Sequence, residues 1–142
     1  MTYLLDVNLL LALGDEAHVH HEVARRWFSE EGSASWATCP ITENGFVRIA
    51  SHPNYSNPPG DLRTVLGILA QLRSAPSHVF WPDDVCILDV LEPDARITSR
   101  RTTDVYLLGL AAHNGGKLAT LDRRIPAHAV RGGRDALELL VE

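Results

Sequence analysis

The sequence predicts an α/β fold: an αβα sandwich on a central, mostly parallel sheet of four to five strands. Three observations lead there. Short apolar segments with β-branched and aromatic residues alternate with longer segments whose apolar residues recur at helical spacing. Glycine and proline mark the changes between them. Acidic residues stand at the edges of several apolar segments, and sites in open parallel sheets form beyond the carboxyl ends of the strands.

Taken in order, Thr2 to Leu5 reads as a buried strand that feeds straight into a helix from Val7 to Leu13. Gly14-Asp15 breaks that helix. Val19, Val23, Ala24, Trp27 and Phe28 recur at helical spacing, which predicts a second helix from His18 to Ser29. Ser35 to Thr38 is a second strand. Pro40 suits the first turn of a third helix, with Ile41, Phe46, Val47, Ile49 and Ala50 as its apolar stripe. Residues 51–60 hold three prolines, two asparagines and a glycine and read as a loop. Leu62, Val65, Leu66, Leu69 and Leu72 then outline an amphipathic helix. His78 to Trp81 is a third strand closed by Pro82, Val85 to Leu91 a short helix, and Glu92 to Arg101 an irregular polar stretch. Asp104 to His113 is helical, and Asn114-Gly115-Gly116 stops it. Lys117 to Leu121 is a fourth strand, and Leu137 to Val141 a last edge strand.

A chain of 142 residues suits one domain, spanning residues 1–142, with a substantial core. Its apolar runs, such as Val105 to Ala112, are too short to cross a bilayer, so no membrane role is expected. The N-terminus has no basic region before an apolar one, which predicts a cytoplasmic protein. Cys39 and Cys86 lack CxxC spacing and are expected as free, buried thiols. The net charge of −5 excludes phosphate binding driven by overall charge. Almost all the positive charge is arginine, gathered as Arg25-Arg26, Arg96 with Arg100-Arg101, Arg123-Arg124, and Arg131 with Arg134. The groups beside Asp104 and Asp122 suit either phosphate contact or solvated surface charge, and the sequence leaves both open.

Four acids carry the functional reading: Asp6, Glu43, Asp104 and Asp122. Asp6 and Asp122 are expected just past strand ends, and Glu43 and Asp104 in the first turns of helices. Each has an ordinary structural explanation alone, such as a favourable place in the helix dipole for Asp104. Asp6 resists one, because it interrupts an apolar stretch, and a buried carboxylate needs a partner or a metal. Carboxylates that converge repel one another unless a cation neutralises them. Oxygen donors of this kind suit Mg²⁺ or Mn²⁺, and divalent ions can activate water against a phosphodiester. Asn8 and Thr120, two residues from Asp6 and Asp122, are candidate supporting residues that orient a ligand or a water. The chemistry expected is metal-dependent hydrolysis.

The segments Leu5-Asp6-Val7-Asn8, Thr42-Glu43, Thr103-Asp104-Val105-Tyr106-Leu107-Leu108 with Ala111-Ala112, and Leu118-Ala119-Thr120-Leu121-Asp122 occur in that order across the chain. In them the chain resembles the PIN-domain ribonucleases and, among these, the VapC-type toxins of toxin–antitoxin modules. The resemblance implies a PIN-like sandwich and an acidic pocket of Asp6, Glu43, Asp104 and Asp122 that binds Mg²⁺ or Mn²⁺. It implies endonucleolytic cleavage of RNA, with tRNA or rRNA as candidate substrates. It also implies a cognate antitoxin whose C-terminal segment covers the pocket, and a homodimer. The rival readings are an aspartate-based phosphatase or phosphotransferase with Asp6 as nucleophile, a receiver-like module, and a non-catalytic PIN-like RNA-binding protein. The first usually has an acid two residues on, where this chain has Asn8, and the second a lysine after a late strand, where Lys117 precedes one.

His18, His20 and His21 read as a polar helix start in preference to a transition-metal site. Trp27, Trp36 and Trp81 read as core. The run Leu9 to Leu13 is apolar all round, and its outer face needs cover from the neighbouring helix or from a partner.

Overall fold

The computed structural model describes residues 1–55 and 60–140. Five strands form one sheet: β1 (Tyr3–Leu5), β2 (Trp36–Thr38), β3 (His78–Phe80), β4 (Lys117–Thr120) and β5 (Leu137–Leu139). Their order is β3-β2-β1-β4-β5, and every pairing is parallel. The helices are α1 (Val7–Gly14), α2 (His21–Glu30), α3 (Pro40–Ala50), α4 (Leu62–Arg73), α5 (Ile87–Val90) and α6 (Thr102–His113). The expected αβα sandwich is observed.

Successive strand residues point to opposite faces, and the core divides accordingly. Tyr3, Leu5, Trp36 and Ala119 join one apolar cluster with Leu9, Leu10, Phe46 and Val65 from α1, α3 and α4. Leu4, Ala37 and Leu118 join the other with Val105, Leu107, Leu108 and Leu110 from α6. Both faces of β1 are therefore covered, and its three residues are all buried. The apolar run of α1 buries Leu9, Leu10, Leu11 and Ala12 against α2 and α3, so its cover comes from within the chain.

Several boundaries differ from expectation for local reasons. Helix α2 begins at His21, because His18 and His20 take part in a turn in which the His18 Nδ1 accepts the His20 N–H at 3.0 Å. Of the stripe expected on α4, Val65 is buried and Leu69 and Leu72 pack on the core, while Leu62 and Leu66 stay exposed. Strand β3 is a sheet edge with Val79 and Phe80 exposed. The helix expected over 85–91 shrinks to the single turn of α5. The stretch 92–101 ends in a 3-10 turn at Ser99–Arg101 that runs directly into α6. Strand β5 stops at Leu139, and Val141 lies outside the described residues, as do 56–59 of the expected loop. Trp36 and Trp81 are buried, and Trp27 packs on the core edge-on to Tyr3 at 5.1 Å. Cys39 is a buried free thiol as expected, but Cys86 is exposed, because it precedes the short α5 rather than lying inside a packed helix. Among the described residues no helix is long and apolar enough to cross a membrane.

Two glycine positions bring the acidic segments together. Gly45 lets α3 approach the start of α1, since a Cβ there would come within 2.7 Å of a Val7 methyl. Gly115 takes a φ of +69° in the turn that sends the chain from α6 into β4.

Candidate active site

The four acids lie along one edge of the sheet, and the topology explains why. Strand β1 lies between β2 and β4, so the carboxyl ends of all three meet at one edge. Asp6 follows β1 and Asp122 follows β4 by two residues. A helix leading into a parallel strand runs against it, which places the first turn of α6, with Asp104, over that same edge. Glu43 is in the first turn of α3, just beyond β2.

Asp6 is the centre of the arrangement. It is only 6% exposed. Its backbone N–H donates to the Ala119 carbonyl of β4 at 2.9 Å, which docks it between the two strands. Its extended conformation caps α1, where Oδ1 accepts the Val7 N–H at 2.8 Å. The Thr120 hydroxyl donates to Oδ2 at 2.8 Å. That hydroxyl in turn accepts the Asp122 N–H at 3.1 Å and Asn8 Nδ2 at 3.2 Å. Asn8 Oδ1 accepts the Leu121 N–H at 3.1 Å. The fully buried Thr120 is thus the junction between the ends of β1 and β4. Burial pushes the Asp6 carboxyl up to about 6; the bonds from Thr120 and Val7 oppose the shift, and the charges of Asp104 and Asp122 add to it.

Asp104 and Asp122 are joined by one cation. Arg101 Nη1 lies 3.1 Å from Asp104 Oδ2 and 3.1 Å from Asp122 Oδ2. Asp122 Oδ1 takes the Arg124 N–H at 2.9 Å and its Nε at 3.3 Å. Burial raises Asp122, but Arg124 and Arg101 outweigh it and hold the carboxyl below its ordinary range. Of the arginine groups flagged in the sequence, those at 100–101 and 123–124 therefore touch the acids. The Arg101 contact was legible in principle: it precedes Asp104 by three residues, which places both on one side of a helical turn.

Glu43 stands apart from these three. Its Oε2 accepts the Thr38 hydroxyl at 2.6 Å and lies 3.4 Å from Arg73 Nε. Thr38 Oγ1 is also 2.7 Å from His78 Nε2. A hydroxyl has one proton, so with Thr38 donating to Glu43 it is His78 that donates to Thr38. Burial and then the neighbouring Arg73 hold the His78 imidazole below its ordinary value. Nothing in the sequence pointed to this group of Thr38, Arg73 and His78.

The donors around the pocket are carboxylate, hydroxyl and amide oxygens, which suit a hard divalent cation. Among the described residues no three His, Cys, Asp or Glu side chains stand close enough to coordinate one ion directly. The chemistry still fits Mg²⁺, which keeps several waters and needs few direct protein ligands. Two rival readings lose ground here. Both Asp6 oxygens are engaged and the group is buried, which is poor placement for a nucleophile. Lys117 pairs with Glu138 of β5 at 3.8 Å instead of serving the acidic edge.

The PIN domain family model matches residues 3–130. The chain belongs to the PIN-domain family. Ribonuclease VapC39 of Mycobacterium tuberculosis is 44% identical over 134 residues, covering 93% of this chain and 96% of that protein. Ribonuclease VapC44 of the same species is 42% identical, covering 93% and 94%. These matches place the chain in the VapC group of the family. Two solved structures share its fold: Mycobacterium tuberculosis VapC20, described as a sarcin–ricin-loop-cleaving toxin, with a TM-score of 0.64 and 13% identity over 91% of this chain and 96% of that one; and VapBC2 of Rickettsia felis bound to a promoter DNA fragment, with a TM-score of 0.57 and 12% identity over 89% and 94%.

Proposed function

We propose that this chain is the toxin of a toxin–antitoxin pair, acting as one nuclease domain over residues 1–142 that hydrolyses RNA with Mg²⁺ or Mn²⁺ held by Asp6, Asp104, Asp122 and Glu43. Ribonuclease activity follows from membership of the VapC group. The single observation that carries the metal dependence is Asp6: a buried carboxyl raised to about 6, with two further carboxylates pressing on it. At neutral pH that charge is costly, and a cation removes the cost.

Asp6 and Asp104 would be the direct or nearest ligands, and Asp122 and Glu43 would hold waters of such an ion. When bound, the ion supplies a water acidic enough to attack a phosphodiester and a positive charge for the departing oxygen. Thr120 fixes the Asp6 carboxylate through Oδ2, which Asn8 Nδ2 also approaches at 3.5 Å, while Oδ1 accepts the Val7 N–H and keeps a second lone pair for the pocket. Asn8 ties α1 to the residue after β4 and so fixes the gap between Asp6 and Asp122. The substrate is a single-stranded or looped segment of tRNA or rRNA. The partners are a cognate antitoxin whose C-terminal segment covers the pocket and a second copy of the chain. The site of action is the cytoplasm.

The test is cleavage of a tRNA and rRNA panel with Mg²⁺, with Mn²⁺, and with EDTA. Asp6→Asn and Asp104→Asn proteins are compared alongside, and Mn²⁺ uptake is followed by calorimetry. Cleavage that survives EDTA, or full activity in either variant, refutes the proposal.

A further inference from the structure

Next to the acidic pocket lies a groove of about 630 Å³. It shares Asn8 and Asp122 with the pocket, so the two are continuous. Its remaining walls come from segments far apart in sequence: His18 and His20 ahead of α2, Leu121 with Arg123 and Arg124 after β4, and Leu140 after β5. The sequence favoured a polar helix start over a transition-metal site for these histidines. The fold turns them towards the reaction centre.

The lining has three chemical parts. Arg123 and Arg124 are exposed, and Arg124 is steadied by Asp122, so one side is cationic. Leu121 and the buried Leu140 make an apolar wall. The imidazoles of His18 and His20 lie 5.7 Å apart, centroid to centroid, and add two flat faces. Burial first, and then the His20 ring, hold the proton affinity of His18 below that of an ordinary imidazole. Cations beside flat and apolar surfaces suit a backbone phosphate next to an unstacked base. The volume falls in the range of about 300–1,000 Å³ typical of pockets for small organic groups. A duplex, with its bases stacked inside, has nothing to offer the rings and the leucines.

We propose that this groove is a subsite for single-stranded RNA flanking the cleaved bond, with Arg123 on a backbone phosphate and the His18 and His20 rings against one unstacked base. The inference rests on the ribonuclease reading and adds the path of the strand and the residues that hold it.

The experiment measures binding of a short fluorescent single-stranded RNA of mixed sequence to the full chain carrying Asp104→Asn, which prevents cleavage. Arg123→Gln is expected to weaken binding several-fold. It should also reduce the slope of log Kd against log salt by about 0.7, the loss of one phosphate contact. His18→Asn keeps an acceptor for the His20 N–H and is expected to weaken binding about fivefold or more, as loss of a stacked base does, with the slope unchanged. A duplex of the same sequence should bind more weakly and ignore His18→Asn. Parental affinity and slope in both variants overturn the groove assignment, as does an equal loss on single strand and duplex. Variants that bind RNA normally but lose affinity for polyglutamate would give the groove to an acidic protein partner, which also overturns it. The two readings fail separately. A wild-type chain that cleaves RNA while both variants bind like the parent sinks only the groove; a wild-type chain that neither binds nor cleaves RNA sinks both.

Discussion

Asp6→Asn should make the protein more stable when divalent ions are chelated, and only at neutral to alkaline pH. The folded state raises this carboxyl from an ordinary 3.8 to about 6. The sign follows from proton binding. Below the ordinary value both folded and unfolded chains hold the proton, and the shift costs nothing. Between about 4 and 6 the unfolded chain ionises more readily, so stability falls as pH rises. Above about 6 both are ionised and the folded state carries the whole cost, about 3 kcal/mol. Asparagine cannot ionise and removes it. It also gives something back: its oxygen can still accept the Val7 N–H, but the Thr120 hydroxyl faces an amino group and loses an acceptor worth about 1 kcal/mol. The net expectation at pH 8 in EDTA is a gain of about 1–2 kcal/mol, or a Tm higher by roughly 3–7 °C. The assay is thermal unfolding of both proteins by circular dichroism from pH 4 to pH 8, reading the difference in Tm at each pH. Because every other group titrates in both proteins, the difference isolates Asp6. A Tm difference that is flat across this range, or a variant less stable than the parent at pH 8, would refute the argument. Added Mn²⁺ should raise the Tm of the parent and leave that of the variant nearly unchanged.

Three other substitutions test the parts around it. Thr120→Val leaves the Asp122 N–H without its side-chain acceptor, takes from Asn8 Nδ2 its shorter contact and takes from Asp6 Oδ2 its hydroxyl donor; urea unfolding at pH 8 should show a loss of about 1–3 kcal/mol, and a neutral result would mean the junction is not structural. Arg101→Gln removes the cation between Asp104 and Asp122, so the Tm in EDTA should fall at low salt, with the difference shrinking as salt screens the repulsion; an unchanged Tm counts against the bridge. Gly45→Ala in an unobstructed helix would stabilise by about 1 kcal/mol; here the new methyl meets Val7, so stability should fall by about 1–3 kcal/mol, and Val7→Ala in the same chain should restore most of it.

The fold and the site were not equally legible in the sequence. Element order, sheet type and the placement of the acids at strand ends followed from local signals. Apolar period separated strands from helices, and glycine turns separated one from the next. What local signals cannot carry is which face of an element finds cover. Five residues outlined the apolar face of an amphipathic α4, yet two of them, Leu62 and Leu66, stay exposed. Strand β3 looked like any other apolar segment, and only the sheet order makes it an edge. The same limit applied to the site. Asp6 could be flagged because an acid inside an apolar run is costly wherever the chain goes. Thr120 could be flagged because it is two residues from Asp122. His78, Arg73 and Thr38, which surround Glu43, are separated by up to 40 residues and carry no mark of their shared role.

Net charge is silent on the arrangement of charge. An overall −5 excludes only phosphate binding driven by the total. Here the fold sorts the charge. It gathers Asp6, Asp104 and Asp122 at one point, then places Arg101 and Arg124 on those same carboxylates and Arg123 just outside them. Screening confines each of these fields to about 8–10 Å at ordinary salt, so an approaching strand meets the local pattern and not the total. An acidic centre with arginine at its rim suits the proposed hydrolysis of a phosphodiester: negative charge that would hold a cation, and positive charge nearby that would hold the backbone. That pattern depends on β1 and β4 being neighbours, because their junction at Thr120 sets both the depth of Asp6 and the position of Asp122. A change that slipped the Leu5–Ala119 register by one residue would keep every charge on the chain and lose the site.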